Sequence, residues 1–333
     1  MSVPRSNLPR SRHFTLEPLA PGVYAAIAGA GGGAMSNAAI VDLGDRTLVF
    51  DTFMTPQAAA DLRVAAEALT GHPVAYVVNS HWHDDHVRGN QIFADAEIVA
   101  TDRTSLLMAA RGPENIARQR DRVPAQVAAL RERCAQAAGE RERARLALEI
   151  SEAEEIAASL PELEPQLPDH TFTERLIFRG PARVAELLTY GGGHTESDAF
   201  LWLPAERILL AGDLVVSRTH PLLIWGDPDT WPGILDRLAA LDPATVVPGH
   251  GPVAGAESIA AVQDYLADLR HLADGLLGAG NTPDELAEAP MPEEYAGWDA
   301  PEVFAHNMRF LGDLARDTVP EFLRSLVVVD PPR

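Results

Sequence analysis

Residues Asn79–Asn90 read NSHWHDDHVRGN and place three histidines and two aspartates within the six positions His81–His86. They follow the apolar, β-branched run VAYVVNS (Val74–Ser80), which predicts a buried strand. A loop at the C-terminal end of such a strand is where α/β sheets favour ligands. Because the chain has only 11 histidines, three of them within six residues indicate a functional site rather than a chance surface cluster.

Three later predicted strand ends carry the same residue types: GGGHTESD (Gly191–Asp198), LLAGDLV (Leu209–Val215) and VPGHGP (Val247–Pro252). Imidazole and carboxylate are ligands that suit zinc, and one ion needs about four of them. Two ions about 3.5–4 Å apart need more ligands and share some. The five histidines and two aspartates at these strand ends are sufficient for two ions. The glycines beside them allow close backbone approach.

The ordered pattern His81-x-His83-x-Asp85-His86, followed by later His and Asp residues, resembles the metallo-β-lactamase superfamily over roughly residues 22–252. The resemblance implies an α/β fold, the four-layer αββα sandwich with metals at one edge. The residues that resemble ligands of the first metal are His81, His83 and His194. Those that resemble ligands of the second metal are Asp85, His86 and His250, with Asp213 as the bridging carboxylate. Asp51 resembles an acid that supports the ligands from behind.

The resemblance implies a hydrolase with two zinc ions, although iron or manganese would suit the same ligands. A hydroxide bridging the metals would attack a small ester, lactone, thioester or amide, and Asp85 would orient it and transfer its proton. His220 is a weaker catalytic candidate, either lining the pocket or bonded to backbone. The bridging Asp213 is more similar to glyoxalase II and lactonases than to true β-lactamases, which often hold the drug with a lysine that this chain lacks.

Two alternatives stay open at this stage. An iron-containing redox enzyme of the same fold, similar to persulfide dioxygenases, would use similar ligands, but seven filled positions favour a dinuclear site over a single iron. A non-enzymatic metal-binding protein is disfavoured because its ligand set would be expected to decay.

Composition limits the partners. The net charge is −21, and all 27 basic residues are arginine, so nucleic-acid binding is disfavoured. No apolar run is long enough to predict a membrane span. The single cysteine, Cys134, and an N-terminus without an apolar segment predict a cytoplasmic protein that acts on a small molecule.

We expect one domain over residues 1–333, with a helical insertion at 102–170 and a C-terminal helical extension at 256–333. Apolar residues at helical spacing form one stripe from Val123 to Ala137 and another from Leu146 to Leu160, which predicts a helical hairpin. It would be a packing arm, a lid on the active site, or the interface of a homodimer.

Four further predictions concern three segments and one histidine. The glycine-rich GAGGGAM (Gly29–Met35) is expected to be a mobile loop. TFTERLIFRG (Thr171–Gly180) is predicted to be one strand, and Pro301–Leu323 one helix. His13 is expected at the surface.

Overall fold

The computed structural model describes residues 8–319, and its first sheet has seven strands in sequential order. These are β1 (Phe14–Ala20), β2 (Val23–Ala28), β3 (Ala38–Asp42), β4 (Thr47–Phe50), β5 (Val74–Val78), β6 (Glu97–Thr101) and β7 (His170–Phe172). The first four strands pair antiparallel, and β4 to β7 pair parallel. Parallel pairing requires crossovers, and helices supply them.

The second sheet has five strands in the order β12-β11-β10-β9-β8. These are β8 (Arg175–Arg179), β9 (Val184–Gly191), β10 (Asp198–Leu203), β11 (Ile208–Gly212) and β12 (Thr245–Pro248). Neighbours pair antiparallel except β11 and β12, which are parallel.

Helices cover the outer faces and form an insertion. They are α1 (Pro56–Thr70), α2 (Asp84–Val87), α3 (Asp102–Gln136), α4 (Glu140–Ser159), α5 (Trp231–Ala239), α6 (Glu257–Gly278), α7 (Pro283–Ala287) and α8 (Glu302–Ala315). Helix α1 is preceded by Thr55, whose hydroxyl accepts from the Ala58 amide, and is followed by Gly71 in the left-handed conformation.

Three apolar clusters define the layers. The two sheets pack face to face through residues such as Val41, Leu187 and Leu201. Helix α1 covers the outer face of the first sheet, with Leu62 in that cluster. Helices α5, α6 and α8 cover the second sheet, around Trp231 and other buried side chains. The predicted αββα sandwich is confirmed, and helices of the predicted C-terminal extension form part of its outer layer.

The insertion is an antiparallel pair formed by α3 and α4. Arg120 donates to the Leu160 carbonyl, and farther along Arg131 pairs with Glu154, so the helices run in opposite directions. The two apolar stripes pack against each other, with Val123 and Leu146 buried between them. Those stripes are therefore used within the hairpin and are not available to a second subunit.

Thr171–Gly180, predicted as one strand, is two. Its start belongs to β7, where Thr171 pairs with Ala100, and its end is β8, where Arg175 pairs with Leu188 in the other sheet. Both halves have strand-like composition, so the local pattern does not reveal that the chain crosses between sheets. The strand β1 was not predicted at all.

The glycine-rich loop Gly29–Met35 is held by hydrogen bonds rather than free of contacts. The Gly33 amide donates to Nδ1 of His13, and Gly31 bonds both Glu152 and Ser151 of α4. His13, expected at the surface, is buried because it supports this loop. The predicted C-terminal helix corresponds to α8, and the part of that prediction beyond residue 319 lies outside the described residues.

Between residues 8 and 319 there is no helix with the length and apolarity needed to cross a bilayer.

Candidate metal centre

Strand direction explains how distant motifs reach one place. Strands β4 and β5 are parallel, as are β11 and β12, and β9 runs in the direction of β11 because both are antiparallel to β10. All five strands are followed directly or within a few residues by a candidate ligand or supporting acid. Asn37 ties the sheets at this edge, since its amide group donates to the carbonyls of Pro248 and Gly251.

The first cluster contains His81, His83, His194 and Asp213, whose potential ligand atoms lie within 4.8 Å of one another. Nε2 of His194 is 3.0 Å from Nδ1 of His83 and 3.2 Å from Oδ2 of Asp213. His81 and His194 are almost fully buried. Three imidazoles and one carboxylate are the number and type of ligands that a tetrahedral zinc ion takes.

The second cluster contains Asp85, His86 and His250. Nε2 of His250 is 3.3 Å from Oδ2 of Asp85, and Nε2 of His86 is 3.6 Å from the same oxygen. Asp213 also reaches this cluster, with its Oδ1 3.2 Å from His86 and its Oδ2 3.3 Å from His250. Asp213 therefore lies between the two clusters, as a bridging carboxylate must.

Buried ligand atoms without a hydrogen-bond partner support a metal site. Within the described part of the chain they include Nε2 of His81, Nε2 of His86 and Oδ1 of Asp213. A buried polar atom left unpaired costs about 1–3 kcal/mol. Three such atoms at one place are explained if metal ions supply the missing partners, so the residues present fit a pair of metal ions.

The charges within the clusters lead to the same conclusion. Burial lowers the pKa of His81 well below its ordinary value and that of His83 to about 3, which leaves both imidazoles neutral and able to bind metal. For His250, burial also lowers the pKa, but the Asp213 and Asp85 carboxylates outweigh it and raise the pKa to about 10. The carboxylates thus attract a cation to the second cluster, and a metal ion would replace the proton there.

Asp51 supports both clusters from behind and does not itself belong to either. Its carboxylate accepts from the Ser80 amide and the Ser80 hydroxyl, each at 2.7 Å, and lies 2.8 Å from Nδ1 of His86. The Ser80 hydroxyl is also 2.9 Å from Nδ1 of His81. Nδ1 of His250 is anchored by the Met35 carbonyl at 3.1 Å. These contacts orient the rings so that Nε2 points toward the clusters.

Gly249 is required by the position of Asp213. A Cβ atom on Gly249 would lie 1.8 Å from Oδ1 of Asp213 and within 3 Å of the backbone at the end of β11. The backbone just after β12 therefore approaches the Asp213 carboxylate so closely that only glycine fits at position 249.

The clusters open into a cleft of about 740 Å³ through His83 and Asp85. One wall of the cleft is the first half of α3, so the insertion borders the site. Arg88 links the His81–His86 segment to the insertion, because it donates to Asp84 beside the candidate ligands and to Gln119 of α3. The size of the cleft suits a small-molecule ligand.

The structure brings all seven predicted ligands together and places Asp51 behind them. His220, the weaker catalytic candidate, is not among the residues that line the cleft: its Nδ1 pairs with the Tyr265 hydroxyl at 2.9 Å, and its ring packs against Trp298. Sequence reasoning missed the supporting roles of Ser80 and of the Met35 carbonyl, whereas a position of the insertion beside the active site was one of the alternatives it offered. The position of Ser80 immediately before His81 was the only local signal for the first of these.

Known proteins share this architecture. The profile of the metallo-β-lactamase superfamily matches residues 31–250. A metallo-β-lactamase from Pontibacter korlensis superposes with a TM-score of 0.56 at 19% identity, covering 76% of this chain and 99% of that one. A metallo-β-lactamase from Erythrobacter litoralis gives a TM-score of 0.54 at 19% identity, covering 78% and 98%. At these identities the likeness to solved structures is one of fold.

Two curated relatives are similar in sequence. The linear primary-alkylsulfatase of Pseudomonas sp. is 24% identical over 281 residues, which is 78% of this chain. The metallo-β-lactamase type 2 of Bacteroides fragilis is 33% identical over 98 residues, or 28% of this chain. The matches span 51% and 39% of those proteins' own lengths. With the profile matched over most of the chain and the fold and His/Asp clusters in agreement, the chain belongs to the metallo-β-lactamase superfamily.

Proposed function

We propose that the protein is a hydrolase with two zinc ions that cleaves a small ester, lactone, thioester or amide. The observation that carries this proposal is the arrangement of seven ligands as two clusters that share Asp213 and open into one cleft. Two zinc ions in these clusters would supply Lewis acidity and lower the pKa of water from 15.7 toward about 7. His81, His83 and His194 would hold one ion. Asp85, His86 and His250 would hold the other.

Asp85 is the residue that we assign to proton transfer. Its side chain belongs to the second cluster and also lines the cleft, whereas Asp213 is more deeply buried. Asp85 would accept a proton from the attacking water and pass it to the leaving group. General acid–base catalysis of this kind contributes about 10²–10⁴-fold to the rate.

A sulfate ester is a second candidate substrate, because the alkylsulfatase relative matches over 78% of this chain. β-Lactams are less favoured, since the arrangement of a shared aspartate resembles the glyoxalase II and lactonase type of site. The single-iron redox enzyme is also less favoured, because its chemistry would leave the second cluster without a role. The cytoplasmic location and the lack of nucleic-acid or membrane partners stay predictions from composition.

The test combines metal analysis with a substrate panel. Mass spectrometry of the purified protein should give about two metal ions per chain after mild dialysis. The panel should include 4-nitrophenyl acetate, a homoserine lactone, a thioester, an alkyl sulfate and a β-lactam. Hydrolysis of none of them, or about one iron per chain with oxygen consumption, would overturn the proposal.

A further inference from the structure

Three arginines of the insertion face the cleft. Arg111, Arg118 and Arg122 all line it, at spacings of seven and four residues along α3. Residues separated by four or seven positions lie on the same side of a helix, so the three guanidinium groups share one face. They line the same cleft as His83 and Asp85, in a chain whose net charge is −21.

Two of these arginines form no ion pair with an acid of the described part of the chain. Across residues 8–319 neither Arg118 nor Arg122 forms an ion pair within 4 Å, and the guanidinium of Arg118 donates to Oδ1 of Asn115. Elsewhere on the hairpin Arg131 pairs with Glu154 and Arg145 with Glu149. In a chain with 48 acidic residues, cationic side chains left unpaired on a cleft wall are available to a ligand.

Arg111 is held differently. Its guanidinium lies 5.0 Å from the ring centre of Trp82 and 5.2 Å from that of Trp225, both of which also line the cleft. Such cation–π contacts stabilise the position of the charge. Arg111 therefore fixes the wall near the metal clusters, while the other two arginines lie roughly 10–16 Å farther along the helix axis.

The wall is also connected to the metal motif. Asn115 accepts from Arg118 and donates to Asp84 at 3.5 Å, and Asp84 is adjacent to the ligand Asp85. The acids that line the cleft are Asp84, which Arg88 neutralises, Asp85 of the second cluster, and the exposed Glu114. Asp84 and Asp85 are thus engaged by Arg88 and by the second cluster, and Glu114 is the remaining acid that lines the cleft.

We propose that the cleft binds an organic anion, with its sulfate, sulfonate, carboxylate or phosphate group held by Arg118 and Arg122. Their side chains, one turn apart, can reach the same oxyanion. The apolar body of the ligand would lie against Met35, Met54 and Leu222, which also line the cleft. The inference rests on the proposed function because it takes this cleft as the substrate site, and it adds the charge of the substrate.

The experiment measures binding and needs no turnover, so its result is separate from that of the hydrolase test. Metal-loaded protein is titrated calorimetrically with hexane-1-sulfonate and with hexyl methyl sulfone, a neutral molecule of similar shape. Sulfonate is a poor zinc ligand, so arginine contacts should dominate. We expect the sulfonate to bind the unaltered protein at least tenfold more tightly than the sulfone.

Matched variants locate the contact. Arg118→Glu and Arg122→Glu should each weaken sulfonate binding by about tenfold and leave sulfone binding unchanged. Arg133→Glu is the control, because it reverses an exposed arginine of the same helix that does not line the cleft. If the Glu variants fold poorly, Arg122→Gln takes their place. It only removes the charge, so its loss of sulfonate affinity should be smaller.

Equal affinity for sulfonate and sulfone would overturn the proposal. So would an equal loss in Arg133→Glu and Arg122→Glu, because the effect would then come from overall charge alone.

Discussion

Asp51→Asn tests how the residues behind the ligands control the metal. Asp51 has φ +59°, a left-handed conformation that Asn adopts readily, so the backbone should accept the change. The Ser80 amide must still find an acceptor, which directs the new side-chain oxygen toward it. The new amide nitrogen then lies where the Asp51 oxygen faced Nδ1 of His86.

The consequence is a change of tautomer. With Asp51, Nδ1 of His86 donates its proton to the carboxylate and Nε2 is free to bind metal. With Asn, the amide donates to Nδ1, and the ring proton moves to Nε2, where it blocks the metal. Loss of such a supporting contact costs about 10–100-fold in metal affinity, equivalent to about 1.4–2.7 kcal/mol.

The assay is competition for zinc against a chromophoric chelator, together with thermal unfolding with and without metal. We expect the ion at His86 to be weakened most, because Asp51 contacts that ring directly and reaches His81 only through the Ser80 hydroxyl. Burial raises the pKa of Asp51, so the buried charge is costly, and the metal-free variant should be no less stable than the unaltered protein.

Asp61→Asn is the control, since it makes the same chemical change in α1, where Asp61 accepts from Ser11. It should bind two ions normally. If Asp51→Asn also binds two ions with unchanged affinity, the tautomer argument is refuted.

Three further predictions follow from the site. Asp85→Asn should lower kcat by at least about 100-fold while the protein stays folded. Glu114→Gln, which changes another acid of the cleft, should leave kcat unchanged. A metal-replete Asp85→Asn enzyme with full turnover would remove Asp85 from the mechanism. Gly249→Ala should lose metal, measured by mass spectrometry, because its Cβ would displace Asp213; normal metal content would contradict the close approach. Replacing residues 112–167 with a short Gly/Ser linker should leave metal binding but change the substrate profile, and an unchanged profile and oligomeric state would make the hairpin a packing arm only.

The sequence alone determined the chemistry of the site. His81, His83, Asp85 and His86 follow a strand that its own β-branched residues predict, and the later ligands follow strands with equally local signals. Ligand identity depends on residue type, and strand ends depend on patterns of a few residues. Both are therefore present in the chain before it folds, as are the helical stripes of the insertion.

Tertiary structure decided which segments meet. Three features depend on contacts between residues far apart in the chain. They are the pairing of Arg175 with the second sheet, the burial of His13 under the glycine-rich loop and the aromatic surroundings of His220. The arginines of α3 have a visible helical spacing, but nothing local indicates that their face borders the metal cleft. Local patterns specify which faces of an element are apolar or charged, whereas the packing of distant elements decides what each face contacts.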